Sequence, residues 1–160
     1  MHRYPGMTTD SLCSFLTDNN IEVAENAACF MWGLWPYRSV KGETDLRDAF
    51  RVLESWGFKY KSLAFIWIKL NKVGPGYFFG PGHYTASNSE PCLLGIRGKM
   101  PVKSNYVSQL IIARRQEHSK KPPTVRDKIV ELFGDLPRLE IFARDRTPGW
   151  DVIGNQLPEE

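Results

Sequence analysis

The chain has 160 residues, of which 42% are hydrophobic and 24% charged, a composition typical of one soluble domain with a single core. The formal net charge of +3 permits a nucleic-acid partner without requiring one. No apolar run approaches the roughly 18 residues of a membrane span, and the first residues lack the apolar segment of a secretory signal. We therefore expect one domain over residues 1–160, located in the cytoplasm and without a membrane partner.

The first half of the chain predicts a strand–helix–strand unit preceded by a short helix. The segments, in the order helix, strand, helix, strand, are residues 7–17, 27–32, 44–56 and 63–69. Thr8 or Thr9 can cap the first helix. Thr44 can cap the second, whose apolar residues recur at helical spacing until Gly57 ends it. Both strands are apolar, and the second is rich in aromatic and β-branched residues.

A segment rich in glycine, proline and aromatic residues follows, at positions 71–89. Gly74, Pro75 and Gly76 are followed closely by Gly80, Pro81 and Gly82, which predicts a long loop. A loop of this length inside a compact domain is usually functional or disordered. Its glycine spacing misses the dinucleotide-binding pattern by one residue, and no helix follows.

The second half of the chain predicts another unit of the same kind. Its elements are strands at 92–96 and 109–113, a helix from Val125 to Gly134, and a strand at 138–143. Alternating units indicate an α/β fold whose sheet is mostly parallel and has helices on both faces. Such sheets bind ligands beyond the carboxyl ends of their strands. The predicted binding edge therefore comprises residues 35–37, 71–89, 118–121 and 144–156.

Cysteines, histidines and nucleophile motifs exclude several kinds of site. Cys13, Cys29 and Cys92 lie far apart without a Cys-x-x-Cys spacing, which favours free, buried thiols over disulfides. The three histidines are isolated in sequence, so we expect no metal site. The chain has no P-loop and no nucleophile elbow.

Several collinear segments carry a family resemblance. They are Tyr4–Asp10, Phe30–Trp32, Trp56–Phe58, Phe65–Lys72, Ser89–Gly98, His118–Pro122, Leu139–Arg144, Pro148–Trp150 and Gly154–Gln156. Together they resemble the N6-adenine methyltransferases of the MT-A type, relatives of the messenger-RNA adenine methyltransferase catalytic subunit that include phage and bacterial DNA adenine methyltransferases. The resemblance implies a Rossmann-like fold with permuted motifs, and S-adenosylmethionine as cofactor.

The resemblance also implies which residues bind the cofactor: Lys121, Arg144, Asn155 and Gln156. The amides of Asn155 and Gln156 suit the ribose or the amino-acid end, and the cations suit the carboxylate or the ribose hydroxyls. Two simpler interpretations stay open. Lys121 and Arg144 are also typical of solvated surface cations, and residues 154–156 are also typical of a polar turn.

A nucleic-acid partner, DNA in preference to RNA, is expected over the 71–89 loop and the segment from Arg97 to Lys103. Tyr84, with Phe78, Phe79 and His83, can stack on or beside a displaced base, and Lys99 and Lys103 can meet phosphates. The alternative is that these aromatic side chains pack into the core and that the basic residues form a solvated face.

The catalytic Asp-Pro-Pro-Trp of such enzymes does not occur in the 160 residues, so no catalytic residue is assigned. Trp35-Pro36-Tyr37 follows the wrong strand to replace it, and Pro122-Pro123 opens a helix. The first hypothesis is an N6-adenine methyltransferase chain lacking its catalytic motif and the family's first strand. The second is a non-catalytic subunit that binds nucleic acid or supports an active partner. A second copy or a methyltransferase subunit is the expected protein partner.

Overall fold

The computed structural model describes residues 7–35, 45–82, 84–117, 120–155 and 157–159. Its helices are α1 (Thr9–Cys13), α2 (Phe15–Asp18), α3 (Leu46–Ser55) and α4 (Thr124–Phe133). Its strands are β1 (Ala27–Trp32), β2 (Lys59–Leu70), β3 (Ser89–Arg97), β4 (Leu110–Arg114), β5 (Leu139–Ile141) and β6 (Asp151–Ile153). Every predicted element is present, although the first helix is divided in two and β6 was not predicted. Within these ranges, no helix is long and apolar enough to cross a bilayer.

At the starts of α1 and α3, a side chain satisfies a backbone N–H group that lacks a partner within the helix. The Thr8 hydroxyl accepts a bond of 3.1 Å from the N–H of Ser11, which confirms Thr8 as the cap of α1. The cap of α3 is Asp45, whose carboxylate accepts from the N–H of Asp48 at 3.0 Å. The prediction of Thr44 at this position is therefore wrong by one residue, and Thr44 itself lies outside the described residues.

Strands β1 to β4 form one sheet in the order β1-β3-β2-β4. Strand β3 is antiparallel to both of its neighbours, and β2 and β4 are parallel. The sheet is therefore mixed, and the prediction of a mostly parallel sheet is wrong. The reason lies in the 71–88 connection, which returns the chain directly alongside β2. Strand β3 thereby comes between β1 and β2, which run in the same direction without pairing.

Strands β5 and β6 form a separate parallel pair, with Leu139 opposite Asp151 and Ile141 opposite Ile153. The second predicted strand–helix–strand unit therefore does not form within one sheet. Its last strand, β5, pairs with β6 and not with the sheet that contains β4. Strand β6 has only three residues and lies between a Pro-Gly turn and Gly154, so its sequence carries little strand signal.

The two longer helices cover opposite faces of the four-stranded sheet, as predicted. Consecutive residues of a strand point to opposite faces, and Cys92 and Leu93 of β3 belong to different core clusters. Val125 of α4 packs with Cys92, and Leu53 of α3 packs with Leu93. Gly95 permits the close approach of α3, because a Cβ there would lie 2.7 Å from the Leu53 Cδ1.

The three cysteines are free, as predicted. Cys92 is buried, while Cys13 and Cys29 retain some exposure. Burial raises the pKa of the Cys29 thiol to about 12 and raises that of Cys92 as well. Both thiols are therefore protonated at neutral pH and behave as small apolar side chains.

Candidate cofactor and nucleic-acid site

The described parts of the segments predicted to form a binding edge meet at one end of the sheet. Leu70 pairs with Arg114, and Ile68 pairs with Ser89, so β2 and β4 end where β3 begins. Trp35, just beyond β1, reaches the same end, where its indole N–H donates to the Ser89 hydroxyl at 3.0 Å. We call this the carboxyl end of the sheet.

A buried carboxylate with two ammonium partners lies at the carboxyl end. Glu90 is 6% exposed. Its Oε1 lies 2.6 Å from the Lys69 Nζ, and its Oε2 lies 2.5 Å from the Lys121 Nζ. We call Glu90, Lys69 and Lys121 the Glu90 cluster. Burial raises the pKa of Glu90, but the ammonium groups of Lys121 and Lys69 together lower it below its usual value.

Two tryptophan rings lie against the ammonium groups of the Glu90 cluster. The Lys69 Nζ lies 5.2 Å from the ring centre of Trp67, and the Lys121 Nζ lies 5.4 Å from that of Trp32. The two rings meet edge to face, with centres 6.4 Å apart. The indole N–H of Trp67 donates to the Ala113 carbonyl at 3.0 Å, so its ring is fixed. Cation–π attraction thus adds to the ion pairs in holding both lysines.

The predicted cofactor residues are carried by segments that lie side by side. Lys120 pairs with Asp145 at 2.8 Å, and Arg144 pairs with Glu117 at 3.2 Å. The N–H of Ala143 donates to the Ile153 carbonyl at 2.9 Å, which places the chain before Asn155 next to the chain before Arg144.

The conformation at Gly154 requires a glycine, because a Cβ there would lie 2.2 Å from the Ala143 carbonyl oxygen. The structure therefore brings together the segments that hold Lys121, Arg144 and Asn155. Gln156 lies outside the described residues.

Aromatic side chains of the 71–89 loop, together with Arg114 and Arg115 at the end of β4, form the outer part of the carboxyl end. The Arg115 guanidinium stacks on Phe78, with its central carbon 3.6 Å from the ring centre. Phe79 is 68% exposed and Tyr84 is fully exposed. Arg114 donates to the carbonyls of Asn71 and Gly74, which ties the loop to β4. His83 lies outside the described residues.

The loop is not structureless, although it contains no strand in its described part. The N–H of Gly80 donates to the Ser87 carbonyl at 2.7 Å, and the N–H of Ser87 returns a bond of 2.9 Å to the Gly80 carbonyl. The N–H of Phe78 donates to the Lys69 carbonyl at 2.8 Å. These bonds fold the aromatic segment back onto the end of β2.

Lys99 and Lys103 lie at the opposite end of the sheet. Arg97 ends β3 beside Ala27, and the N–H of Lys99 donates to the Asn26 side chain at 2.8 Å. The N–H of Lys103 bonds to the Leu132 carbonyl, near the last turn of α4. A strand rises about 3.3 Å per residue, so the nine residues of β3 separate Lys99 from the aromatic loop by about 26 Å. The structure does not unite Tyr84, Lys99 and Lys103 in one patch.

Sequence reasoning singled out Lys121 but missed the other two members of the Glu90 cluster. Lys69 and Glu90 lie inside family-like segments, but neither was singled out as a site residue. A signal was available, because each is a charged residue at the end of an apolar strand, a position where unpaired charges are costly. Within the described ranges, no three histidine, cysteine, aspartate or glutamate side chains are placed to hold a metal ion.

Comparisons of the sequence with known proteins identify its family. The sequence matches the MT-A70 family over residues 9–156. It is similar to the type II methyltransferase M.MunI of Mycoplasma sp, with 35% identity over 138 residues, 85% of this chain and 53% of that protein. It is also similar to the N(6)-adenosine-methyltransferase MT-A70-like protein of Arabidopsis thaliana, 34% identical over 108 residues.

The N(6)-adenosine-methyltransferase catalytic subunit METTL3 of Homo sapiens is 28% identical over 109 residues. The Arabidopsis and human alignments each cover 66% of this chain but 16% and 19% of those proteins. The chain therefore spans about half the length of M.MunI and less than a fifth of the other two. The family match covers nearly the whole chain, and the resemblance seen in the sequence is confirmed: the chain belongs to the MT-A70 family.

Proposed function

We propose that this chain binds S-adenosylmethionine and serves the transfer of a methyl group to the N6 amine of adenine, in DNA in preference to RNA. One observation carries the proposal. Lys121, which is paired with the buried Glu90, lies at the carboxyl end together with the segments that hold Arg144 and Asn155. Ligands of α/β sheets bind at this end. Membership of a methyltransferase family supports the same reading.

The donors present fit a cofactor with a carboxylate and a ribose. An ammonium has three N–H donors, and Lys121 uses one of them on Glu90. Arg144 can meet a carboxylate through a planar guanidinium, and the Asn155 amide can both donate to and accept from ribose hydroxyls. When bound, S-adenosylmethionine supplies an electrophilic methyl group on its sulfonium sulfur.

The aromatic loop supports an adenine-containing substrate. Exposed rings such as Phe79 and Tyr84 offer stacking surfaces to an unpaired base, whatever its identity. A base in a duplex has to leave the helix before such a contact forms. Arg115, stacked on Phe78, places a cation beside these rings, where it can attract the phosphate backbone.

We further propose that the 160 residues do not complete the transfer by themselves. Adenine's amine is a poor nucleophile because its lone pair is delocalised into the ring, so the reaction depends on groups that hold the amine in line. No Asp-Pro-Pro-Trp occurs in the sequence to do this.

Strand edges offer places where a further segment could pair. Among the described residues, β1 ends the four-stranded sheet with one strand partner, β3, and β5 pairs with β6 alone. An added strand can bond to either free edge. The alternative function is that of a non-catalytic subunit that binds nucleic acid or supports an active partner. The absence of Asp-Pro-Pro-Trp from the sequence supports this alternative too.

Calorimetric titration of the chain with S-adenosylmethionine tests the proposed cofactor site. Lys121→Ala, Asn155→Ala and Gln156→Ala should each weaken binding about tenfold, the typical effect of losing one hydrogen bond to a charged or polar ligand group. Lys59→Ala removes an exposed cation from the other end of β2 and serves as the matched control. Unchanged affinity in all three variants would show that the cofactor assignment is wrong.

A second assay separates the two functions. The chain is mixed with a catalytically active family member, and methyl incorporation into adenine-containing DNA is compared with that of the active enzyme alone. A supporting subunit raises the rate, and an unchanged rate opposes that alternative.

A further inference from the structure

The two lysines of the Glu90 cluster are not equivalent in their surroundings. Lys69 lies within β2, where its N–H donates to the Asn88 carbonyl and its carbonyl accepts from Phe78. Its side chain is 14% exposed. Lys121 lies in the irregular segment before α4, and its side chain is 31% exposed. A regular strand therefore fixes one lysine, whereas the other depends more on the contacts of its own side chain.

We infer that Lys69 is a positioning residue that anchors the Glu90 carboxylate, so that Lys121, bound to the other oxygen, presents its ammonium to a ligand at the carboxyl end. The inference rests on the proposed function, because the ligand is the one proposed for Lys121. Lys69 itself has no role in contacting that ligand.

The electrostatics of the cluster explain why a second lysine is needed. A buried carboxylate tends to take up a proton, and a nearby cation opposes this tendency. Among the described residues, the charged groups that face Glu90 are Lys69 from β2 and Lys121 from the segment before α4. Without Lys69, burial acts against a single ammonium and the pKa of Glu90 rises. A protonated Glu90 loses its charge-assisted bond to Lys121, whose ammonium is then no longer held in place.

The variant Lys69→Met keeps most of the apolar stem and removes the ammonium, and Lys69→Arg restores a cation at the same position. Binding of S-adenosylmethionine is measured by calorimetry between about pH 5.5 and pH 8, where the wild-type Glu90 stays ionised. We expect Lys69→Met to bind about tenfold more weakly at the acidic end, with the difference shrinking as the pH rises. The wild type and Lys69→Arg should show no such trend. Circular dichroism establishes that each variant is folded.

The nitrogen NMR signal of the Lys121 ammonium provides a readout that does not depend on the ligand. We expect a distinct, slowly exchanging signal in the wild type and, at the acidic end of the same pH range, its loss in Lys69→Met. An unchanged signal in Lys69→Met, or binding curves that run parallel to the wild type at every pH, would overturn the positioning role.

Lys121→Ala separates this inference from the proposed function. If Lys121→Ala weakens binding and Lys69→Met does not, the cofactor site stands and the positioning role falls. If Lys121→Ala alone binds like the wild type, the positioning role falls as well. If the wild type binds no cofactor, or Lys121→Ala, Asn155→Ala and Gln156→Ala all bind like the wild type, the proposed function falls. The ammonium signal then decides the positioning of Lys121 without reference to the cofactor.

Discussion

The two ends of the four-stranded sheet both carry lysines, but in opposite surroundings. At the carboxyl end, Lys69 and Lys121 share the buried carboxylate of Glu90 and lie against tryptophan rings. At the opposite end, Lys99 and Lys103 are exposed, and within the described part of the chain neither ammonium is paired.

This difference separates two kinds of contribution to binding. Ammonium groups fixed in a poorly solvated site act at defined positions and are weakly screened by salt. Exposed lysines attract a polyanion without regard to its sequence, and salt reduces their effect. We therefore expect recognition at the carboxyl end and, at most, general electrostatic attraction at the other.

The largest expected effect is the absence of methyl transfer by the 160-residue chain alone. Tritiated S-adenosylmethionine and adenine-containing DNA should yield no incorporation above background, because the 160 residues contain no Asp-Pro-Pro-Trp to hold the adenine amine. A full-length type II methyltransferase serves as the positive control. Robust incorporation would place a catalytic group within the chain, and Trp35-Pro36-Tyr37 would be examined first. Pro36 and Tyr37 lie outside the described residues.

Glu90→Gln should destabilise the fold by about 3–5 kcal/mol, because it leaves two partly buried ammonium groups without their counter-charge. The free energy of unfolding is measured by urea denaturation. Asp10→Asn provides the contrast, since Asp10 pairs with Arg51 on the surface and should contribute little. Similar losses in both variants would contradict the distinction between buried and exposed pairs.

The same stabilisation should depend on pH. The pKa of Glu90 is lower in the folded chain than its ordinary value of 4.5. Its contribution is therefore fully present above pH 4.5 and is lost as the pH falls through the lower, folded-state value. Urea denaturation below pH 4.5 should show the wild type losing stability more steeply than Glu90→Gln. Equal slopes would mean that Glu90 titrates alike in the folded and unfolded chains.

Phe79→Ala and Tyr84→Ala should each weaken the binding of a single-stranded, adenine-rich oligonucleotide by about 1–3 kcal/mol, the value of one base stacked on an aromatic ring. Fluorescence anisotropy measures the affinity. Tyr106→Ala is the matched control, because Tyr106 is exposed but precedes β4, at the opposite end of the sheet. Equal losses in all three variants would remove the distinction between the two ends.

The smallest effect is expected from Lys99→Ala combined with Lys103→Ala. If these lysines meet phosphates, the slope of log affinity against log salt should flatten by about one for each lysine. The double variant with arginine at both positions keeps the charges and should retain the wild-type slope. A slope that does not change with alanine would leave the carboxyl end as the nucleic-acid surface.

Much of the local structure could be predicted from the residues alone. Apolar residues at helical spacing identified α3 and α4, a short apolar run identified β1, and an aromatic and β-branched run identified β2. These signals depend on neighbours in sequence, which is why they survive without tertiary information. The family was also identified in the sequence, from segments whose order and spacing are retained along the chain.

The tertiary structure decided which strands pair and which charged residues meet. Strand direction in the sheet depends on the path of the 71–88 connection, and β3 gives no local sign that it lies between β1 and β2. The meeting of Glu90 with Lys121, 31 positions apart, follows from that path. The separation of Lys99 from Tyr84 follows from it as well. Hydrophobic periodicity reports which face of an element is buried, whereas the partner across that face is set by how the whole chain packs.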